Sequence, residues 1–314
     1  MGRVRVGISG WTYAPWRGVF YPDRLPHARE LAYAAEHFST VEINGTFYSL
    51  QRPSSFARWS DATPEDFVFS VKGSRFITHM LRLRNVEQAL ANFFASGILL
   101  LKPKLGPILW QFPPTFSFNA SLLEDFFRLL PRTTMEAALL GRSHDGRLDG
   151  HAHTETDKDR PLRHAIEIRH DSFLSEEFIR LLRRYRIALV CADTVSWPRP
   201  VDATTDFVYC RLHGSRELYV SGYGAKAIAT WADRIAAWAS GTPPKGTRVS
   251  AFSPMEARPH DVYVYFDNDM KVRAPADALS LERRLAKLGI AEGFVKSGQV
   301  GDAGPLRPPH RTSL

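Results

Sequence analysis

Charged side chains recur near the carboxyl ends of several strand-like segments of this chain. Glu42 lies in VEIN, Glu167 and Arg169 alternate in AIEIRH, and Arg211 and His213 alternate in YCRLHG. A nearby cation would keep one buried carboxylate ionised while burial raises the pKa of another, which divides such a pair into general base and general acid. Imidazole is a further proton-transfer group near neutral pH. These residue types predict catalysis by Glu42, Glu167 and His213.

The alternation of apolar and polar residues predicts where these side chains point. Successive side chains of a strand lie on opposite faces, and the face of a barrel strand that packs on helices must be apolar. Val41 and Ile43 therefore take the helix side, which leaves Glu42 facing the barrel interior. The same reasoning turns a polar residue inward at the end of most strands, including Asp193 on the sixth. The eighth strand is ambiguous, and Asp267 points inward there if Val262, Val264 and Phe266 point outward.

Other polar and aromatic side chains at the strand ends and in the following loops are predicted to bind the substrate. They are Trp11, Asn44, Tyr48, Lys72, His79, Gln111, Arg169, Asp193, Arg211 and Asp267. Lys72 and the two arginines would hold a phosphate or carboxylate, because each guanidinium can bind two oxygens at once. The aromatic residues, with Trp16 and Trp110, line the predicted mouth, either to stack on a sugar or base or to pack the loops.

Acids and cations are mixed among the inward residues, which disfavours a metal centre. Carboxylate and imidazole ligands hold divalent metals best when no cation competes for them. The sequence also has neither an HExxH motif nor a Cys–His zinc spacing. No cofactor is therefore predicted. A single divalent metal on Glu42, Glu167, Asp193 and His213 is the alternative.

Strand-like and helix-like segments that would position these residues alternate along the chain. Strands are predicted at Val4–Gly10, Val41–Asn44, Phe67–Lys72, Gly106–Phe112, Ala165–Arg169, Ala188–Asp193, Phe207–His213 and Val262–Asp267. Helices are predicted at Ala28–His37, Ser54–Ser60, Val86–Ala95, Ser121–Leu130, Met135–Gly141, Glu176–Tyr185, Lys226–Ser240 and Ala276–Leu288, with Asn119 and Ser175 as N-caps. About eight such pairs predict an α/β fold, a (β/α)8 TIM barrel with a parallel β-barrel inside outer helices. A doubly wound open sheet is the alternative, but its Gly-rich turn after the first strand is missing.

One barrel domain over residues 1–295 is the predicted organisation. It carries a polar insertion around residues 142–163, rich in His, Asp and Arg. The Gly- and Pro-rich residues 296–314 are predicted to be a disordered tail.

Composition narrows the cellular setting. The 314 residues contain no apolar run of the roughly 18 residues that would span a membrane. The N-terminal MGRVRVGISGW leads almost directly into a strand-like segment, so we expect no secretory signal. Cys191 and Cys210 lie in apolar strands, so we expect buried free thiols and a cytoplasmic location.

The mixed charges favour a metal-independent hydrolase, lyase or isomerase acting on a small polar, anionic substrate. A net charge of +8 and a pI near 9.6 also suit nucleic acid, but no dense basic run is present. A metal-dependent nucleic-acid-processing barrel and a non-catalytic ligand-binding barrel are the alternatives.

Seven blocks of the sequence occur together in a recognisable order. They are SGWTYAPWRGVFYP, TVEINGTFYSL, FVFSVKGSRFITH, LGPILWQFPP, AIEIRHDSF, YCRLHG and VYVYFDN, spread over roughly residues 4 to 290. This order resembles the domain-of-unknown-function family 72, also called YecE-like. The resemblance implies a TIM-type barrel and supplies no activity. The chain departs from the family in YVSGYGAKAI, where an acidic residue commonly follows the second tyrosine and Gly224 and Ala225 stand here.

Overall fold

A closed parallel barrel organises the protein, described here from a computed structural model that covers residues 1–194, 196–214, 221–268 and 272–290. Its strands follow one another in chain order around the barrel, and the eighth pairs with the first. They are β1 (Val4–Ser9), β2 (Thr40–Ile43), β3 (Val68–Lys72), β4 (Leu105–Gln111), β5 (His164–Glu167), β6 (Ala188–Asp193), β7 (Phe207–Leu212) and β8 (Asp261–Phe266). The predicted (β/α)8 TIM barrel is confirmed, and each predicted strand is present with its ends shifted by at most two residues.

Helices lie between the strands and cover the barrel. They are α1 (Glu30–His37), α2 (Gly45–Tyr48), α3 (Pro53–Asp61), α4 (Glu87–Ala95), α5 (Ala120–Leu129), α6 (Thr134–Gly141), α7 (Glu176–Tyr185), α8 (Ala225–Ser240) and α9 (Arg273–Lys287). The predicted caps are confirmed, since the Asn119 side chain accepts a hydrogen bond from Leu122 N and the Ser175 side chain accepts one from Phe178 N.

Two short elements beside the strand ends were not predicted. Helix α2 has the sequence GTFY, whose β-branched and aromatic residues favour strands over helices. A π-helical turn, Phe76–Met80, follows β3. Both turns lie on the face where the strands end, so they can present side chains to a site there.

Two apolar layers show how the strands divide their side chains. On β2, β7 and β8 the residues predicted to face outward, such as Val41, Cys210 and Val264, belong to the cluster shared with the helices. The barrel interior holds a smaller cluster that includes Tyr209 and Tyr265, whose rings lie 5.0 Å apart. Inward tyrosines close the barrel and leave their hydroxyl groups available for polar side chains above them.

The polar segment at residues 142–163 packs along the outside of the barrel. His153 N donates to Ala95 O at the end of α4, and Asp145 N donates to the Asn92 side chain. This segment therefore lies on the helix layer, and Arg147 also reaches the π-helical turn, where its guanidinium lies 5.9 Å from the centre of the Phe76 ring.

The remaining sequence-based expectations concern the ends of the domain, the cysteines and membrane spans. The tail at residues 296–314 lies outside the described residues, and the domain limits at residues 1–295 stay a prediction. Both cysteines are buried and free, as predicted. No helix in the described part of the chain is long and apolar enough to cross a membrane.

Candidate functional site

Arg211, near the end of β7, is the centre of the buried charges inside the barrel. Its side chain is fully buried and makes five hydrogen bonds to side chains of other strands or strand ends. Nη1 donates to Glu167 at 2.7 Å, and Nη2 donates to Asp267 at 2.9 Å. Glu42 accepts from both Nε and Nη2, at 3.1 and 2.8 Å. We call Arg211 and these three carboxylates the arginine network.

Glu42 lies deepest in this network, and its carboxylate is saturated with donors. Besides Arg211, it accepts hydrogen bonds from the hydroxyl groups of Ser9 and, at 2.6 Å, Tyr209. The side chain is fully buried. The prediction that Glu42 points inward is confirmed. Its hydrogen bonds to Arg211 fix the position of the guanidinium.

Glu167 joins the network to a second arginine. Its Oε1 accepts from Arg169 Nε at 2.8 Å, while Oε2 accepts from Arg211. Burial alone would raise the pKa of Glu167, but the Arg169 and Arg211 cations outweigh burial and hold this pKa well below its ordinary range. The expectation that burial would raise the pKa of one of the two glutamates is therefore wrong for Glu167, because two guanidinium groups contact it.

His213 and Asp267 form a pair at one side of the network. His213 Nδ1 lies 3.0 Å from Asp267 Oδ2, and the imidazole is fully buried. Burial opposes ionisation of Asp267, yet Arg211 and His213 hold the pKa of this carboxyl well below its ordinary range. Asp267 faces inward as predicted, since Val262, Val264 and Phe266 belong to the outer layer.

Above the network lies a cavity of about 510 Å³ that we call the mouth cavity. Its walls are formed by side chains from the ends of β3, β4 and β5 and from the unpredicted α2 and π-helical turn: Phe47, Tyr48, Lys72, Arg75, His79, Met80, Gln111 and Arg169. Five predicted substrate-binding residues, Tyr48, Lys72, His79, Gln111 and Arg169, thus meet here. Three of the lining residues are cations, and none carries a carboxylate.

Lys72 ends β3 in the wall of the mouth cavity. It is 8% exposed, and its ammonium lies 4.3 Å from the centre of the Phe47 ring. Burial, and next the Arg211 cation, lower the pKa of Lys72 to about 8, although the three carboxylates of the arginine network partly oppose this.

His79 shares the Phe47 ring with Lys72. Its imidazole lies edge-on to this ring at 5.2 Å, and Nδ1 is 2.8 Å from the Thr78 hydroxyl group. Burial, followed by the Arg169 and Lys72 cations, lowers the pKa of His79 to about 4. The imidazole is therefore neutral at pH 7.

Trp11 and Asn44 line a different cavity, of about 550 Å³, which shares no lining residue with the mouth cavity. Trp11 packs edge-on against Trp59 there at 5.3 Å. Asn44 remains linked to the arginine network, because its Nδ2 donates to Ser9 Oγ at 3.0 Å. The structure thus separates these two predicted substrate-binding residues from the five that line the mouth cavity.

The inward assignment of Asp193 is wrong. On β6 the small residues Val190 and Ala192 fill the barrel, whereas Leu189 and Cys191 pack in the outer layer, on the same face as Asp193. Asp193 Oδ2 accepts a hydrogen bond from Trp231 Nε1 of α8 at 2.9 Å. Asp193 therefore binds the outer helix α8. A polar residue at the end of a barrel strand is not by itself evidence of a site residue.

Two tryptophans assigned to the mouth also lie elsewhere. Trp16 is fully buried among Tyr13, Phe20 and Tyr21. Trp110 is buried on the outer face of β4, and its Nε1 donates to His164 Nδ1 at 3.2 Å. Both pack the fold. Arg75, in contrast, lines the mouth cavity but was not predicted, because it lies in the loop three residues beyond Lys72, where strand alternation does not apply.

The four residues considered for a single metal do not converge. Asp193 faces helix α8, and the carboxylates of Glu42 and Glu167 are bound to Arg211. A guanidinium occupies the position that a divalent cation would need. Among the residues that the structure describes, no group of three or more His, Cys, Asp or Glu side chains is arranged to hold a metal ion.

Fold and site together define the class as a TIM-barrel protein whose polar residues gather where the barrel strands end. The family model described as "Protein of unknown function DUF72" matches residues 5–296, and the chain belongs to this family. The resemblance found in the seven sequence blocks is confirmed.

Relatives extend this assignment without adding an activity. The UPF0759 protein YecE of Escherichia coli K12 is 29% identical over 113 residues, which are 36% of this chain and 39% of that protein. The UPF0759 protein YunF of Bacillus subtilis is 29% identical over 118 residues, 36% of this chain and 41% of YunF. The aligned segments therefore span only about two fifths of these relatives.

Solved structures of the family share the fold. A DUF72 family protein from Thermotoga maritima superposes with a TM-score of 0.67 at 25% identity, covering 90% of this chain and 99% of that one. Another, from Enterococcus faecalis, gives a TM-score of 0.64 at 19% identity, covering 90% of this chain and 95% of that one.

Proposed function

We propose that the protein is an enzyme that binds a small anionic substrate, bearing a phosphate or carboxylate, in the mouth cavity. The observation that carries this proposal is the positive charge of the side chains that line the cavity wall. Lys72, Arg75 and Arg169 line it, while the acids of the site lie beneath, bound to Arg211. A cationic cleft with low-dielectric walls concentrates anions.

The carboxylates then act by positioning cations. Glu167 fixes Arg169 through Nε and Nη2, both at 2.8 Å, with the Arg169 guanidinium stacked 3.7 Å from the Trp197 ring. A guanidinium held in this way meets an oxyanion without reorganising, which favours catalysis by preorganised charge. Glu42 does the same for Arg211, one layer deeper.

The proton-transfer groups that we propose line the cavity themselves. Lys72, with its pKa lowered to about 8, exchanges a proton near neutral pH, and His79, with its pKa near 4, is a neutral acceptor. Glu42, Glu167 and His213, the catalytic residues predicted from the sequence, become positioning residues in this proposal. No step requires a metal, since each negative charge of the network already has a cationic partner.

Calorimetric titration with inorganic phosphate tests this proposal. We expect saturable binding that weakens about tenfold or more in Arg75→Gln and Arg169→Gln, because each loses a charge-assisted hydrogen bond. Arg180→Gln, on the outside of α7, is the matched control and should bind as the unaltered protein does.

Four results would contradict the proposal. The first two are the absence of phosphate binding and phosphate binding that survives both cavity substitutions unchanged. Tight, strongly salt-dependent binding of single-stranded DNA that phosphate does not displace would favour the nucleic-acid alternative. A saturable anion complex without turnover in a panel of phosphorylated and carboxylated compounds would favour the non-catalytic barrel.

A further inference from the structure

Lys72 differs from the part-buried Lys104 in how its ammonium is satisfied. The ammonium of the part-buried Lys104 donates to the carbonyl oxygens of Ser60 and Thr63, the latter at 2.8 Å. For Lys72 the structure gives no hydrogen bond within 3.5 Å and no ion pair within 4.0 Å to any described residue. The side chain is nonetheless only 8% exposed, and Lys72 lines the mouth cavity with its nitrogen 4.3 Å from the centre of the Phe47 ring, which lines the same cavity.

Charged groups approach Lys72 from several elements. Arg211 lies on β7, the carboxylates of Glu42, Glu167 and Asp267 belong to the arginine network, and His79 stands on the same cavity wall. Burial and Arg211 disfavour the ammonium more than the three acids favour it.

A lowered pKa leaves more of Lys72 in the neutral form, the form in which an amine acts as a nucleophile. With a pKa of about 8, about a tenth of Lys72 is neutral at pH 7, against well under a thousandth of a lysine with the ordinary pKa of about 10.4. Desolvation beside another cation is one way in which proteins activate lysine as a nucleophile.

We propose that Lys72 is a nucleophile that forms an imine with the substrate, which is therefore a small aldehyde or ketone bearing an anionic group. This inference rests on the proposed function, because Arg169 and Arg75 must hold the anionic end. With the anionic group bound by the two arginines, the carbonyl carbon of the substrate lies within reach of the Lys72 amine.

The bond changes balance without an external oxidant or reductant. The nitrogen lone pair attacks the carbonyl carbon, and the C=O π electrons move to oxygen, which takes up a proton. The carbinolamine oxygen then leaves as water after a second protonation, while nitrogen loses one proton and becomes a C=N iminium. The iminium withdraws electrons from the adjacent carbon, so it serves lyase or isomerase chemistry and is not needed for hydrolysis.

Pyridoxal 5′-phosphate is a suitable probe because it combines an aldehyde with a phosphate. The folded full-length protein is treated with limiting probe, the imine is reduced with borohydride, and peptide mapping by mass spectrometry locates the modified lysines. We expect Lys72 to be modified about tenfold or more faster than Lys104 and the surface lysines. Inorganic phosphate should slow only the Lys72 reaction.

Matched variants make the result decisive. Lys72→Arg keeps the charge and should lose the fast modification, and Lys72→Met should do so as well if arginine disturbs folding. Lys104→Arg should retain the fast modification. Modification spread evenly over the lysines, or a fast reaction that persists in both Lys72 variants, would overturn the inference.

The same samples separate this inference from the proposed function. Phosphate binding by calorimetry without selective Lys72 modification would refute the imine and leave the anionic-substrate proposal standing. The opposite outcome is fast Lys72 modification that phosphate does not slow, in a protein that shows no phosphate binding by calorimetry. This result would support the reactive amine and refute the anion site.

Discussion

Replacing Arg211 by Met should destabilise the fold strongly, because this one buried guanidinium forms ion pairs with three carboxylates. Its removal does not leave any of them without a partner. Glu167 keeps Arg169, Asp267 keeps His213, and Glu42 keeps the hydroxyl donors of Ser9 and Tyr209. We therefore expect the loss typical of one broken buried ion pair, about 3–5 kcal/mol, and not a multiple of it.

Urea unfolding followed by circular dichroism measures this loss. The slope of the unfolding free energy against urea concentration should be the same for both proteins, which shows that the same transition is compared. Arg180→Met is the matched control. Arg180 and Glu176 are about 70% exposed and 3.8 Å apart, so breaking their contact should change the free energy of unfolding by less than about 0.5 kcal/mol.

Arg211→Lys sharpens the comparison. It keeps the positive charge but cannot reach three carboxylates, so its stability should fall between those of the unaltered protein and Arg211→Met. The reasoning would be refuted if Arg211→Met lost no more than about 1 kcal/mol, as an exposed pair does.

Three further predictions concern the acids and the imidazole. Because folding lowers the pKa of Glu167, its stabilising contribution is present above the unfolded pKa of about 4.3 and is lost as the pH falls through the folded pKa. Glu167→Gln should therefore reduce the loss of unfolding free energy between neutral and acidic pH. An unchanged loss in this variant would contradict the prediction. His79 should show no imidazole titration between about pH 6 and pH 8 in NMR spectra, whereas a midpoint near 6.5 would contradict its burial among cations. Asp193→Ala should lower the free energy of unfolding by about 1–3 kcal/mol through the lost Trp231 hydrogen bond, yet leave phosphate affinity unchanged; weakened binding would return Asp193 to the site.

The barrel was predictable from the sequence because its strands carry the required pattern. Alternation in VEIN and YCRLHG correctly turned Glu42 and Arg211 inward. Only one orientation of these strands buries apolar residues such as Val41 against the helices. Because successive side chains alternate between the two faces, that orientation also determines which polar residues point into the barrel.

The same rule failed where both faces of a strand are buried. In ALVCAD of β6, small and medium apolar residues fill both sides, so the pattern did not fix the direction of Asp193. Side chains on loops were likewise beyond the rule. Trp11 follows β1 into a second cavity because helix α3 supplies Trp59 there, a tertiary contact that strand spacing does not encode.

The charge balance within the site was only partly predictable. The sequence showed that acids and cations alternate at the strand ends, but not that Arg211 would bind Glu42, Glu167 and Asp267 together. That convergence depends on the shear of the closed barrel, which brings the ends of distant strands together. As a result, the acids lie beneath the cavity and the cations line it.

A crystal structure of the protein grown in phosphate would test anion binding at the mouth cavity most directly. Our account predicts a phosphate among Lys72, Arg75 and Arg169, with the arginine network unchanged below it. A cavity without phosphate while the ion occupies other basic sites, or a metal ion bound by Glu42 and Glu167 in place of Arg211, would contradict the account.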